Sequence, residues 1–268
     1  MIKADYHVHS QYSIDSDEPM SESVEYAIKN GFTEIMFTDH YEVFKKGSSL
    51  QRVIDYDQYR DDLEALNKKY KGIIQMGLGA EINLEADMEQ EYNQIIKKYD
   101  FDFIIGSLHN VDYIDVSKKA YYENLSMDDY HSKYFNHLLK AVKSDFAYSV
   151  LGHMDLITRY GPFVDNKVDI QRQMQWIEPI LKIIIHKGKG LEINTSGLRY
   201  GLMDFHPSQE ILRKYKELGG EIITVGSDSH VASTIGQNFD LAEKLLKDLG
   251  YKYYTVFSKM QPRFVNIL

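Results

Sequence analysis

Short apolar runs rich in β-branched and aromatic residues recur along this chain, with longer amphipathic stretches between them. Seven runs read as strands: Ile2–Tyr6, Glu34–Phe37, Ile73–Leu78, Phe101–Ile105, Ala147–Leu151, Leu191–Ile193 and Glu221–Val225. An eighth candidate, Tyr254–Phe257, lies near the C-terminus. The segments Met20–Asn30, Asp57–Tyr70, Asp128–Lys143, Asp169–Lys187, Ser208–Leu218 and Asp240–Leu249 read as helices, and Gly31 and Gly72 stand where helix-ending glycines are expected. Strand followed by helix, repeated without a Pro/Gly-rich linker or a change of composition, predicts an α/β fold with a parallel sheet. At 268 residues the chain has the size of one α/β barrel, so a single closed or nearly closed barrel over residues 1–268 is expected.

In such a barrel the C-terminal strand ends converge on one face. The residues there read DYHVHS at 5–10, FTDH at 37–40, GLGAEIN at 77–83, GSLHN at 106–110, LGHMD at 151–155, EINTSG at 192–197 and GSDSH at 226–230. Six of the ten histidines fall in this set: His7, His9, His40, His109, His153 and His230. Residues i and i+2 of a strand share a side, so His7 and His9 can grip one object. Any one of these imidazoles alone reads as a hydrogen-bonded structural histidine. Together, with Glu81 and Asp228 at equivalent strand ends, they form a nitrogen and oxygen ligand set suited to Zn, Mn or Fe. The chain has no cysteine, which excludes disulfides, thiolate ligands and cysteine nucleophiles. His131, His137, His186 and His206 fall in helical segments or a polar turn and are expected to be surface or packing residues.

In order and context, HVH, TDH, the Glu of GAE, SLH, GHMD and SDSH resemble the motifs of the polymerase and histidinol phosphatase (PHP) family. The resemblance runs from His7 to His230. It implies a distorted (β/α)7 TIM-like barrel that hydrolyses phosphate esters at a site of three divalent metal ions. One ion would lie on His7, His9, Glu81 and Asp228, a second on Glu81, His109 and His153, and a third on His40, His230 and the residue eight positions after the first histidine. In many relatives that residue is a histidine; here it is Asp15, with Asp17 close by. Three dications bring about +6 against about −3 from Asp15, Glu81 and Asp228, a positive pocket on a negative protein. Metal binding lowers the pKa of water from 15.7 to about 7. A bridging hydroxide held by Glu81, with Asp228 and His230 beside it, would then attack phosphorus in line.

GHMDLITRYG and LEINTSGLRYG resemble the histidinol-phosphate phosphatase branch, which implies L-histidinol phosphate as substrate and Arg159 and Arg199 as phosphate contacts. Arg263 in QPRF is a third candidate, and Glu42 and Asp17 are carboxylates for the cationic end of the substrate. Nucleotides, single-stranded nucleic acid ends and phosphotyrosine are alternative substrates; a non-catalytic metal module fits poorly with a ligand set missing no member. A net charge of −9 without a basic stripe argues against nucleic acid as a partner. No apolar run approaches the roughly 20 residues of a membrane span, and Met1 leads straight into the first strand without a secretory signal, so a cytoplasmic protein acting on a small phosphorylated substrate is expected. Phe44–Arg52 and Asp115–Ser126 interrupt the alternation and read as surface loops or a lid.

Overall fold

Strand β1 (Ala4–Val8) is buried at every position, as a strand covered on both faces must be. In the computed structural model, which describes residues 1–41, 54–160 and 170–267, six more strands follow it in chain order. They are β2 (Glu34–Phe37), β3 (Gln75–Asn83), β4 (Phe103–Ser107), β5 (Val150–Leu151), β6 (Gly190–Asn194) and β7 (Ile223–Gly226). Each pairs in parallel with the one before.

The connections carry α1 (Met20–Lys29), α2 (Tyr56–Lys69), α3 (Glu89–Lys98), α4 (Met127–Lys143), α5 (Ile170–His186) and α6 (Gln209–Glu217), and α7 (Phe239–Asp248) follows β7. In α5 the buried residues Ile177, Ile180, Leu181 and Ile184 recur at helical spacing, one apolar stripe against the sheet. Each such side chain contributes about 1.5–3 kcal/mol. Asp55 caps α2 by accepting from the backbone N–H groups of Asp57 and Gln58, and Ser126 caps α4 through Asp129 N–H. Gly31, with φ +73°, ends α1 as its position predicts.

The ring is drawn together between β1 and β7 by a single parallel bridge, Val8 to Ser229. His9 N–H donates to Ser229 O at 2.8 Å, and Ser229 N–H to His7 O at 3.2 Å. Behind this seam the buried Asp5 accepts from Ser227 N–H at 2.9 Å, His7 N–H at 3.2 Å and Gly236 N–H at 2.9 Å. Burial pushes its carboxyl up to about 6 in spite of these donors. Seven parallel strands with helices outside them give the distorted barrel that the alternation and the family resemblance lead one to expect.

Three elements differ from the sequence reading. Tyr254–Phe257 is not a barrel strand: it lies within β8 (Tyr253–Ser258), which pairs antiparallel with β9 (Gln261–Asn266). This hairpin crosses the N-terminal end of the barrel, where Thr255 Oγ1 accepts from Ile223 N–H and Met260 N–H donates to Asp102 O. The Tyr6, Phe103 and Phe257 rings pack there, and Tyr6 OH accepts from Phe257 N–H at 2.7 Å. Helix α3 was not anticipated, because of its ten residues only Tyr92 is buried. Strand β3 runs five residues past Leu78, so Glu81 lies within a strand rather than after one. Phe44–Arg52 lies outside the described residues. No helix among those described is long and apolar enough to cross a membrane.

Candidate active site

The HVH, TDH, GAE, SLH, GHMD and SDSH segments all reach the same end of the barrel, and Glu81 stands at their centre. Its Oε2 lies 3.2 Å from His7 Nε2, 3.6 Å from His9 Nε2 and 3.0 Å from His40 Nδ1. Its Oε1 lies 3.2 Å from His109 Nε2 and 2.8 Å from His153 Nε2. Asp228 Oδ1 closes the group from β7, 3.4 Å from His9 Nε2 and 3.7 Å from His7 Nε2. Asp228 holds φ 54°, a left-handed conformation that aspartate tolerates, at the turn leaving the strand.

Asp15 Oδ2 lies 3.4 Å from His40 Nε2 and 3.1 Å from His230 Nε2, and the His230 ring stacks on His9 at 4.0 Å. Both aspartates are exposed, but Asp17 belongs to none of these groups, so of the two it is Asp15 that the fold brings to His40 and His230. The ligand atoms fall into four sets, each within 4.8 Å: His9, Asp15, His40 and His230; His7, His9 and Glu81; His7, His153 and Asp228; and His40, Glu81 and His109.

A further layer of side chains aims these groups, and sequence reasoning missed its central member. Glu192, wholly buried in β6, places Oε1 2.6 Å from His7 Nδ1 and accepts from His153 N–H at 2.9 Å through Oε2. Its one sequence signal is an acid inside the apolar run LEIN. Ser13 Oγ lies 2.8 Å from His9 Nδ1 and accepts from His40 N–H at 3.0 Å. Asn83 Oδ1 accepts from His109 N–H, and Ser107 Oγ donates to Glu81 Oε1 at 2.5 Å. Gly226 is required because a Cβ there would collide with Glu192 and His7. Occupying the inner imidazole nitrogen in this way leaves the outer one for a cation.

The donor set fits divalent metal. His7 Nε2, His9 Nε2, His40 Nδ1, His153 Nδ1 and Glu81 Oε2 are buried without a hydrogen-bond partner, a costly arrangement for protein alone. Donors about 2.1 Å from a tetrahedral ion stand about 3.4 Å from one another, which is the spacing of His7 and His9 about Glu81 and Asp228. Burial would raise Glu81 and Asp228, yet the surrounding imidazoles hold both well below the usual carboxylate range. Burial works against charge on His7, but Glu192, Glu81 and Asp228 hold it well above the usual imidazole value. His9 moves the other way, lowered by burial and by His230 and His40.

These groups floor a cleft of about 710 Å³. One wall is the hairpin of Asn110–Val111 and Ile114–Asp115 with the residues that follow, so the Asp115–Ser126 stretch borders the site. Its Val116 and Tyr121 are buried, and Val116 N–H donates to His109 O. The facing wall carries Arg159, Tyr160 and Tyr200. The Arg159 guanidinium lies 4.1 Å from the Tyr200 ring centre and that of Arg199 5.5 Å. Arg199 does not line the cleft; it donates to Ser227 O at 3.0 Å and Asp228 O at 2.7 Å, holding the β7 turn.

Arg263 is not brought to the site: it sits on β9 at the opposite end, 3.7 Å from Glu34. Glu42 lies outside the described residues. His206, expected at the surface or in packing, is wholly buried beside Arg159, because its backbone pairs with Asn194 at the end of β6.

The PHP domain model matches residues 5–196. The histidinol-phosphatase of Lactococcus lactis subsp. lactis (strain IL1403) is 31% identical over 97% of this chain and 96% of its own length. A probable histidinol-phosphatase of Clostridium acetobutylicum is 28% identical over 92% and 94%. Among solved structures, histidinol phosphate phosphatase from Lactococcus lactis subsp. lactis Il1403, complexed with Zn, L-histidinol and phosphate, superposes with a TM-score of 0.90 at 30% identity, covering 97% of this chain and 98% of that one. A putative histidinol phosphatase from Listeria monocytogenes shares the fold, with a TM-score of 0.74 at 19% identity over 89% and 99%. Family model, full-length relatives and shared barrel agree: the chain belongs to the PHP domain family.

Proposed function

We propose that this protein is a metal-dependent phosphomonoesterase that hydrolyses L-histidinol phosphate to L-histidinol and phosphate. The whole chain would act as one catalytic domain in the cytoplasm. The observation that carries this reading is the convergence of six imidazoles and three carboxylates, several with buried and unpartnered ligand atoms, beneath a cleft whose wall presents Arg159. The likeness to a full-length relative bound to Zn, L-histidinol and phosphate supports the substrate.

Three divalent ions, zinc, manganese or iron, are assigned to His7, His9, Glu81 and Asp228; to Glu81, His109 and His153; and to Asp15, His40 and His230. When bound, such ions generate a nucleophile from water near neutral pH and stabilise charge on the phosphoryl oxygens. Glu81 would be shared between two ions, since each of its oxygens faces a different imidazole group. Glu192 holds His7 through Nδ1 and so turns Nε2 toward Glu81 and Asp228. Arg159 is placed to take phosphate oxygens through charge-assisted hydrogen bonds, and Arg199 adds positive charge behind Asp228 while fixing its turn. Tyr113, Tyr160 and Tyr200 line the cleft.

The test is a side-by-side assay of the metal-loaded protein on histidinol phosphate, phosphotyrosine, nucleoside monophosphates and a short single-stranded oligonucleotide, with metal content measured on the same sample. Clear preference for histidinol phosphate and more than one ion per chain are expected. Full activity without metal would overturn the mechanism, and preference for another ester would overturn the substrate.

A further inference from the structure

His206 is one of four histidines outside the metal cluster, and it is wholly buried. Its Nδ1 lies 2.7 Å from Asp155 Oδ1, and Asp155 is itself buried, with Oδ2 accepting from Ser208 N–H at 2.9 Å. An imidazole that donates from Nδ1 to a carboxylate presents a lone pair at Nε2. That lone pair meets Arg159 Nε–H at 3.4 Å. Arg159 is gripped a second time where Nη2 donates to Ser196 Oγ at 2.7 Å, and Ser196 Oγ lies 2.6 Å from Asn194 Oδ1 and 3.2 Å from Asp228 Oδ2. Tyr200 covers the guanidinium face. A long, flexible cation is thus held at two nitrogens and one face before any ligand arrives.

We infer that Asp155 and His206 are positioning residues that hold Arg159 in a preset orientation for a phosphate group. The inference rests on the reading that Arg159 binds phosphate. Asp155 fixes which imidazole nitrogen carries the proton, the other nitrogen fixes the guanidinium plane, and the orienting cost is met in folding rather than in binding. The His206 backbone is secured independently, since its N–H donates to Asn194 O at 3.0 Å and its O accepts from Asn194 N–H at 2.7 Å. The segment therefore stays in place when the side chain is changed.

The probe is inorganic phosphate, titrated calorimetrically into the metal-loaded protein. His206→Asn keeps a donor for Asp155 and removes the acceptor for Arg159. It is expected to weaken phosphate binding about tenfold, raise KM by a similar factor, and leave metal content and kcat near those of the parent. His206→Gln, whose amide oxygen reaches the Nε2 position, should recover most of the affinity. In an Arg159→Ala background, His206→Asn should have no further effect on phosphate binding. Unchanged affinity in His206→Asn, or an undiminished effect in the Arg159→Ala background, would overturn the inference. A measurement on the unsubstituted protein is independent of variant folding: the Arg159 Nε–H should exchange slowly with solvent by NMR, and fast exchange counts against the proposal. Because phosphate alone is the ligand, rejection of histidinol phosphate in the substrate assay leaves this test standing.

Discussion

At position 15 a carboxylate joins His9, His40 and His230, and Asp15 accepts the electrostatic consequence: burial would raise it, but His230 and His40 hold it below the usual range. Asp15→Ala is expected to remove one equivalent of metal per chain, read by elemental analysis, while Asp17→Ala leaves the stoichiometry intact. Gly226→Ala drives a methyl group into Glu192 and His7. Overpacking of this kind costs about 1–3 kcal/mol; the variant should melt earlier and bind metal more weakly, with thermal denaturation and metal titration as the checks. The side chains that converge in the candidate metal cluster were legible in the sequence because each sits in a short local motif at or near a strand end. Glu192 and His206 were not, because a buried acid in a strand and a histidine in a turn acquire meaning only when barrel closure brings them to His7 and to Arg159.

Among the elements, the β8–β9 hairpin shows most directly how local signals mislead. Its two-residue turn is Lys259–Met260, with φ 50° and 61°, a conformation that Asn and Gly favour and that neither of these residues advertises. Without a turn signal, Tyr254–Phe257 read as one more barrel strand and β9 went unnoticed. Lys259 is exposed, with its backbone N–H donating to Asp102 Oδ1 at 3.0 Å. Left-handed backbone costs a β-carbon residue roughly 1–2 kcal/mol, less for Asn. Lys259→Asn is therefore expected to raise the melting temperature by about 2–4 °C, with activity unchanged. The seven barrel strands were legible to within a few residues because burial on both faces fills them mainly with apolar side chains, whereas α3, with one buried side chain, lacked a stripe to read.

Across the whole molecule the metal centre and the protonation of the cluster are linked. In the metal-free protein His7, His40 and His230 are raised above 6.5 by neighbouring carboxylates despite burial. Charged imidazoles paired in this way contribute stability that is complete below pH 6.5 and fades as pH rises through their folded values. Metal needs the same nitrogens without protons. The melting temperature of chelator-treated protein should then fall relative to the loaded form as pH rises above 6.5, and metal affinity should rise; a gap independent of pH would contradict the linkage. The carboxylates of Asp15, Glu81 and Asp228, held low, titrate below this range. The seam between β1 and β7 gives the centre a place in time as well as in space. His7 and His9 precede Asp228 and His230 by more than two hundred positions, with Asp5 reaching across 222 positions to Ser227. Closing so long a loop gains little until both ends are present, so the cluster can be completed only after residue 230 has been made, and ions bound there would act as a clasp joining the β1 and β7 sides of the barrel.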